Sequence, residues 1–413
     1  MSVPTLQVLV GFQVTAVTGT PFQLNNATYG KLNTGTLGGF VMRDLTNMVR
    51  SVSINRGRNR QMEQFRAGTA SVAFYDPTRI LDPLNQSSTY YPFVTPRAPI
   101  QVLANGVPIY TGVVTDWNLD YDFVQAGNQT TATCSDNFTV LANMSMNAWT
   151  PTQQLSGARV AAVLTRPEVV YQGGYSTATG SSTLGGGVSP TWDVAQGTNV
   201  LNYLQLVEAS EAGYLFVSAA GTLTFAGRTT GLNPTAAIAF SDTGTGVPYQ
   251  TLTNSYGDEL LYNYVQTKSP AGDVQTTSDA TSVSQYQAQQ LSKLDLLNST
   301  TTEVAALGNY LKGRYANPVL RFTGVSTQLA ALSPTQVASI LAADITRIVS
   351  VTKSFESGTP SSLTQNLIVT GVRHEIRPGS HIVGFTFEST DSNNYLTLND
   401  PIFGRLDYNL LAF

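Results

Sequence analysis

The sequence predicts a mainly β protein with α+β insertions: two related β-barrel domains, a small α+β domain between them, and a helical insertion within the second barrel. Three observations carry this reading. Short period-two stretches of apolar residues recur along most of the chain, the mark of half-buried strands. A Gly/Ser-rich segment and a clear helical stretch interrupt them near the middle. A short pattern also occurs twice, as Ile109-Tyr110-Thr111-Gly112-Val113 and Ile368-Val369-Thr370-Gly371-Val372. Each copy leads through a second strand to a polar exit, Ser135-Asp136-Asn137 in one case and Asp391-Ser392-Asn393 in the other. Chance recurrence of so short a pattern is the alternative to duplication.

Taken in order, residues 1–147 read as an N-terminal strand and the first barrel. Leu6, Val8, Val10 and Phe12 alternate, and the start lacks the basic region and long apolar run of a signal peptide. Val52 and Ile54 share one strand face, and Ala70, Val72 and Phe74 share another. Asp76-Pro77 and Asp82-Pro83 stop the second strand, because proline cannot donate to a ladder. Asn105-Gly106 marks a tight hairpin. Residues 148–235 form the α+β module. Gly173–Gly187 reads as a flexible loop, Thr198 as a helix N-cap, and Gly213 as the left-handed residue that ends the helix. Two strands joined at Ala220-Gly221 follow. Residues 236–275 and 345–400 read as the second barrel, with Leu260 to Lys268 alternating and Pro378-Gly379 as a turn. Residues 276–344 are the helical insertion, with helices over Glu303 to Tyr315 and from Ser333-Pro334 to Ala343. Residues 401–413 are a C-terminal tail.

Composition narrows the function. Only 12% of the 413 residues are charged, against about 25% in an average domain. The surface is therefore polar but uncharged, or covered by other subunits. A net charge of -4 argues against nucleic-acid binding as the main activity, which calls for a basic footprint. The single cysteine, Cys134, excludes an intrachain disulfide and reads as a small inward-facing hydrophobe on a strand.

No catalytic or cofactor-binding constellation stands out. Asp242-Thr243-Gly244 matches the aspartic-protease triplet, but such an enzyme needs two carboxylates sharing a proton, and a Gly/Thr-rich turn is the plainer reading. His374 and His381 are the only histidines. A two-residue turn at Pro378-Gly379 pairs His374 with Val383 and Ile376 with His381, which puts both imidazoles on one face as diagonal neighbours. Two polar residues on a sheet face explain them without a metal, which would want a third ligand. Glu208 and Glu211 lie at helical i, i+3 spacing and read as a solvated face. The Gly173–Gly187 loop has no Gly-Lys-Ser/Thr ending, so it is not a phosphate cradle. Arg50, Arg56, Arg58, Arg60 and Arg66 form one basic cluster. It suits docking to neighbours in an assembly, with contact to DNA as the alternative.

Several stretches resemble a known family. Asp44 to Arg58 (DLTNMVRSVSINRGR), FRAGTASVAFYDPTRILDP from Phe65, and IYTGVV from Ile109 look like the minor tail, or baseplate hub, proteins of long-tailed double-stranded DNA phages, actinobacteriophages especially. The helix and hairpin from Asn199, YGDELLYNYV from Tyr256, VRHEIRPGSHIVGFTFE from Val372 and DPIFGRLD from Asp400 agree in order and spacing. The resemblance implies a structural virion protein at the tail tip, not an enzyme. It implies a homotrimeric ring in which two barrels per chain match a six-fold tail tube to a three-fold tip. Its partners would be the distal tail protein, the tape-measure protein and central fibre or tip proteins, with genomic DNA passing through the lumen. A tail-associated cell-wall hydrolase and a host-glycan-binding tail protein are the competing expectations.

Overall fold

In the computed structural model the described residues are 3–13, 39–123, 127–171, 173–187, 190–231 and 235–390. Seven strands come first: β1 (Leu6–Gln13), β2 (Phe40–Asp44), β3 (Val49–Gly57), β4 (Arg66–Tyr75), β5 (Pro99–Ala104), β6 (Val107–Asp120) and β7 (Gln129–Ser135). The middle segment holds helices α1 (Phe138–Ala142), α2 (Ser156–Leu164) and α3 (Val200–Glu211). Its strands are short: β8 (Ser145–Met146), β9 (Gln154–Leu155), β10 (Tyr175–Thr177), β11 (Thr183–Leu184), β12 (Thr198–Asn199), β13 (Tyr214–Val217) and β14 (Leu223–Ala226). Strands β15 (Ile238–Ser241) and β16 (Thr251–Ser255) precede an insertion made of β17 (Tyr264–Thr267), β18 (Gln275–Ser278), α4 (Ala280–Tyr286), β19 (Gln290–Lys293) and α5 (Thr301–Tyr315). The chain continues through β20 (Arg321–Gln328), α6 (Pro334–Leu341), β21 (Ile348–Ser354), β22 (Ser362–Arg377) and β23 (Ser380–Ser389).

Alternation decides which faces are buried. In β4, Ala70, Val72 and Phe74 point into the core, and in β3 Val52 and Ile54 meet them from the paired strand. Asn105 and Gly106 take positive φ values of 49° and 77° and join β5 to β6 in a two-residue turn, as their sequence requires. Cys134 is buried as one of these inward residues.

Thirteen strands form one sheet in the order β16-β20-β23-β22-β3-β4-β7-β6-β5-β1-β2, with β21 on β22 and β15 on β21. The repeated pattern falls at matching places in two antiparallel meanders, β5-β6-β7 and β21-β22-β23, on the central strand of each. Among the described residues these meanders close no barrel. The reason lies on β22. Its first half pairs with β21 through Ile368, and its second half, from Gly371 to Ile376, pairs with β3. The edge that would fold back within one half is thus spent joining the two halves. The second polar exit, Asp391-Ser392-Asn393, and the 401–413 tail lie outside the described residues.

Other boundaries differ from the sequence expectation for local reasons. Asn199, not Thr198, caps α3, because its side chain accepts from the Asn202 N–H. The left-handed residue is Ala212 rather than Gly213. Ser333 and Gln336 form a full capping box ahead of α6. Strand β17 joins β18 and β19 in a separate three-stranded sheet, and β20 belongs to the main sheet. Val265, Leu296, Val304, Leu307, Leu311 and Tyr315 give the insertion a small apolar core of its own. It leaves and re-enters the main sheet through one neck, because Ser255 pairs with Arg321.

The junction of the two halves leaves no room for side chains. Gly57 has φ of 97°, and a Cβ there would come within 2.2 Å of the Thr370 carbonyl oxygen. Across the ladder, a Cβ on its partner Gly371 would lie 2.9 Å from the Arg58 carbonyl oxygen. Gly57→Ala is therefore expected to cost about 2 kcal/mol or more, from backbone strain plus the forced separation of β3 and β22. Urea denaturation of the purified chain checks this, with the exposed turn substitution Gly379→Asn as the mild control.

Candidate functional site

The five arginines divide by burial. Arg50 is exposed with its guanidinium 4.5 Å from the centre of the Tyr75 ring, Arg66 is exposed, and Arg60 pairs with exposed Glu259 at 2.8 Å. Arg56 and Arg58 point the other way, into the molecule. Arg56 meets Asp344 at 2.8 Å, and the second oxygen of Asp344 accepts from the Ala219 N–H at 2.7 Å. That bond ties the first meander's side of the sheet to the hairpin of the middle segment. The structure does not bring the five onto one surface.

Arg58 enters the main charge cluster. It pairs with buried Glu388 at the end of β23, and its guanidinium stacks 4.7 Å from the centre of the Phe65 ring. Arg314, from the last turn of α5, approaches the other oxygen of Glu388 at 2.9 Å. Burial by itself would raise the Glu388 carboxyl, but Arg58 and Arg314 outweigh it and hold the group below the usual carboxylate range. One glutamate thus joins the connection after β3, the insertion's α5 and the last strand of the main sheet.

Glu208 and Glu211 of α3 are buried, not a solvated face. Each has a different physical reason to be there. Glu211 accepts from the Ser156 hydroxyl at 2.8 Å, the Ser181 N–H at 3.0 Å and the Ser182 N–H at 2.7 Å. The Gly/Ser-rich segment therefore does bind an anionic group, the chain's own carboxylate. Glu208 lies beside the Arg58 cluster, and its Oε2 has no hydrogen-bond partner. Burial pushes its carboxyl up to about 8, against the pull of Arg58. It lines a cavity of about 90 Å³ together with Arg58, Lys293, Tyr310, Arg314 and Glu388. Neither Arg314 nor Lys293 is marked by a motif, and the stretches that contain Glu208 and Glu388 give no sign that the two come together.

The histidine register is the one that the turn dictates: His374 pairs with Val383 and Ile376 with His381. Both rings are buried, and Nδ1 of His374 lies 3.1 Å from Nε2 of His381. One nitrogen donates and the other accepts, so the pair is a bonded neutral unit. Burial drives His374 well below the ordinary histidine range, helped by its neighbour, and drives His381 down to about 4. Among the described residues, no group of three or more His, Cys, Asp or Glu is placed to hold a metal ion.

Asp242 is committed to structure. Lys353 Nζ donates to it at 2.6 Å and the Ser354 N–H at 2.9 Å. The lysine bond lowers its carboxyl to about 2. Burial pushes the Cys134 thiol up to about 12, away from the range of a reactive thiolate.

Solved structures share the overall fold. The 43 kDa tail protein of prophage MuSo2 from Shewanella oneidensis superposes with a TM-score of 0.55 at 12% identity, covering 94% of this chain and 98% of its own. A tail protein from Neisseria meningitidis gives 0.57 at 10% identity, over 84% of this chain and 94% of its own. This chain has the phage tail-protein fold. A prophage tail protein from Listeria monocytogenes has the same fold, with a TM-score of 0.51 at 10% identity over 93% and 95% of the two chains. No protein-family model and no curated protein matches this tail-fold chain in sequence.

Two predictions follow from these side chains. Arg58→Met leaves Glu388 short of one of its two cations in a buried setting. The expected loss is about 3–5 kcal/mol, whereas Arg60→Ala, at an exposed pair, leaves the denaturation midpoint unchanged. For the histidines, the folded pKa lies below the unfolded value of about 6.5. The unfolded chain then binds more protons between that value and about 4, so their contribution is full above the upper limit and is lost as the pH falls through the window. His381 alone accounts for about 3 kcal/mol of it. Subtracting the stability–pH curve of the double variant His374→Leu/His381→Leu from that of the wild type should isolate this acid-side loss. A flat difference curve would show that the pair does not titrate between the two states.

Proposed function

We propose that the chain is a structural protein of a phage tail tip, a baseplate-hub or minor tail protein, and that three copies form a ring. The carrying observation is the tail-protein fold over nearly the whole chain, matched by three solved tail proteins. Two further features support the ring. Each copy offers two similar meanders with the repeated pattern on the middle strand, so three copies present six such units to a six-fold tube and three equivalent faces to the tip. The low charge content suits a surface largely covered by neighbours.

In this reading the role is geometric and not catalytic. The distal tail protein and the tape-measure protein lie on the tube side, and central fibre or tip proteins on the other, with the genome passing through the lumen during ejection. Exposed Arg50, Arg60 and Arg66 reach neighbouring chains, while buried Arg56 and Arg58 shape the joint beneath them. Among the described residues no helix is long and apolar enough to cross a membrane.

Light scattering of the purified chain, alone and with its tail neighbours, is expected to give a mass of three copies. Antibody labelling of virions is expected to mark the tail tip in electron micrographs. Label along the tube or on side fibres would overturn the tip assignment, and a stable monomer that does not join tails would overturn the ring.

A further inference from the structure

The joint between β3 and β22 has an unmade counterpart elsewhere in the sheet. The two halves align on the bulge that each meander carries. In β6 the ladder to β7 shifts between Val114 and Asp116, and in β22 the ladder to β23 shifts between Val369 and Gly371. Asp116 therefore corresponds to Gly371, and the residues opposite them are Thr133 and Thr386. From there the ladders run in step. Thr133 leads through Ser71 of β4 to Ser53 of β3, and Thr386 leads through Gly324 of β20 to Thr253 of β16. Strand β16 is thus the counterpart of β3, and the last part of β6 is the counterpart of the last part of β22.

Inside the chain β3 pairs with β22 from Gly371 to Ile376. The counterparts do not meet. Strand β5 accompanies β6 only as far as Val113. Among the described residues, the edge of β6 away from β7 holds no strand from Asp116 to Asp120, and β16 is paired with β20 alone and ends the sheet. An unpaired edge is a template for another chain. We propose that β16 of one copy adds to the free edge of β6 in a second copy, in the register that β3 takes on β22. Such a seam presupposes the ring reading and says which strands close the ring.

The register is explicit. Glu375 faces Ser53, His374 faces Ile54 and Arg373 faces Asn55 within the chain, so Asp120 faces Thr253, Leu119 faces Asn254 and Asn118 faces Ser255 across the seam. The chemistry agrees. The Ser53 hydroxyl donates to the Glu375 carboxylate at 2.9 Å, and Thr253 brings a hydroxyl to the Asp120 carboxylate. Asp116, Asn118 and Asp120 are exposed on β6, and Thr251, Thr253 and Ser255 are exposed on β16. Strand β16 is uncharged, so the acids of β6 meet hydroxyls and not other acids. On the other face Trp117 and Leu252 are only partly buried against the core. The same register sets Trp117 opposite Tyr256, which is 69% exposed in the single chain, and cross-strand aromatic pairs stabilise a ladder. The two edges are different patches, so the contact is head-to-tail, the kind that closes into a ring when its rotation allows.

The test uses the full chain carrying Asn118→Cys and Ser255→Cys, because the one native thiol, Cys134, is buried. Mild oxidation followed by a non-reducing gel should give covalent species that stop at three copies. The control Asn118→Cys/Thr251→Cys moves one thiol four residues along the strand, about 13 Å, beyond disulfide reach, and should stay as single chains. Equal bonding in the control overturns the register. A mass of three by light scattering with no bond in Asn118→Cys/Ser255→Cys overturns the seam and leaves the ring. Bonded species longer than three copies keep the seam and overturn the ring of three, and a chain that stays single overturns both. A charge pair gives an independent reading. Thr253→Glu, set against Asp120, should weaken assembly at least tenfold, and adding Asp120→Lys should restore it, with the circular dichroism of the fold unchanged throughout. Assembly unaffected by Thr253→Glu, or not restored by Asp120→Lys, counts against the seam even where the cysteine variant does not fold.

Discussion

The structure turns on one carboxylate. Glu388, itself buried, receives Arg58 from the connection after β3 and Arg314 from α5. Two arginines on one acid is an expensive arrangement to bury. Its return is orientation, because the insertion's small apolar core is separate from the main core. Apolar packing alone would let such a body slide. The ion triad fixes its angle, with help from backbone bonds between the Gly185 N–H and the Leu297 oxygen at 2.8 Å and between the Ser299 N–H and the Thr183 oxygen at 2.9 Å. Glu208 and Lys293 stand beside the triad and line the same cavity.

A second constraint acts at backbone level. Strand β22 serves β21 with one half and β3 with the other, and the switch falls at the repeated Thr-Gly-Val. In the first meander the same glycine, Gly112, is also tight: a Cβ would come within 2.5 Å of the Ser135 carbonyl oxygen. The repeated pattern thus records a repeated steric need, a bare backbone where a neighbouring strand crosses close by. This physical equivalence supports a relation between the two meanders more strongly than four matching letters in five do.

What could be read from sequence follows the range of the forces involved. The Asn105-Gly106 turn, the helix start at Ser333-Pro334 and the histidine register all depend on residues within a few positions of one another, and their geometry was legible. The barrel expectation was not met among the described residues, because edge pairing between β3 and β22 joins residues more than three hundred positions apart. The buried cluster was illegible for the same reason: Arg58 and Glu388 are separated by 330 positions. Glu208 and Glu211 misled because i, i+3 spacing describes a helix face but not what covers it. For Glu211 the cover is the Gly/Ser-rich segment, whose N–H groups need an acceptor, and for Glu208 it is the cluster around Arg58.

The shared edge of β22 has a consequence for how the chain is made. Synthesis runs from the N-terminus, so β3 leaves the ribosome with one edge unmatched until some three hundred further residues have followed. Contacts of such long sequence separation form slowly, and an open edge strand is a template for wrong partners in the interval. The exposed side of β3 and its approaches carry Arg50, Asn55, Asn59 and Arg60, charged and amide side chains that discourage sheet-to-sheet pairing. Exposed residues within and beside the sequence's basic cluster therefore also guard a nascent edge while its true neighbour is still being translated.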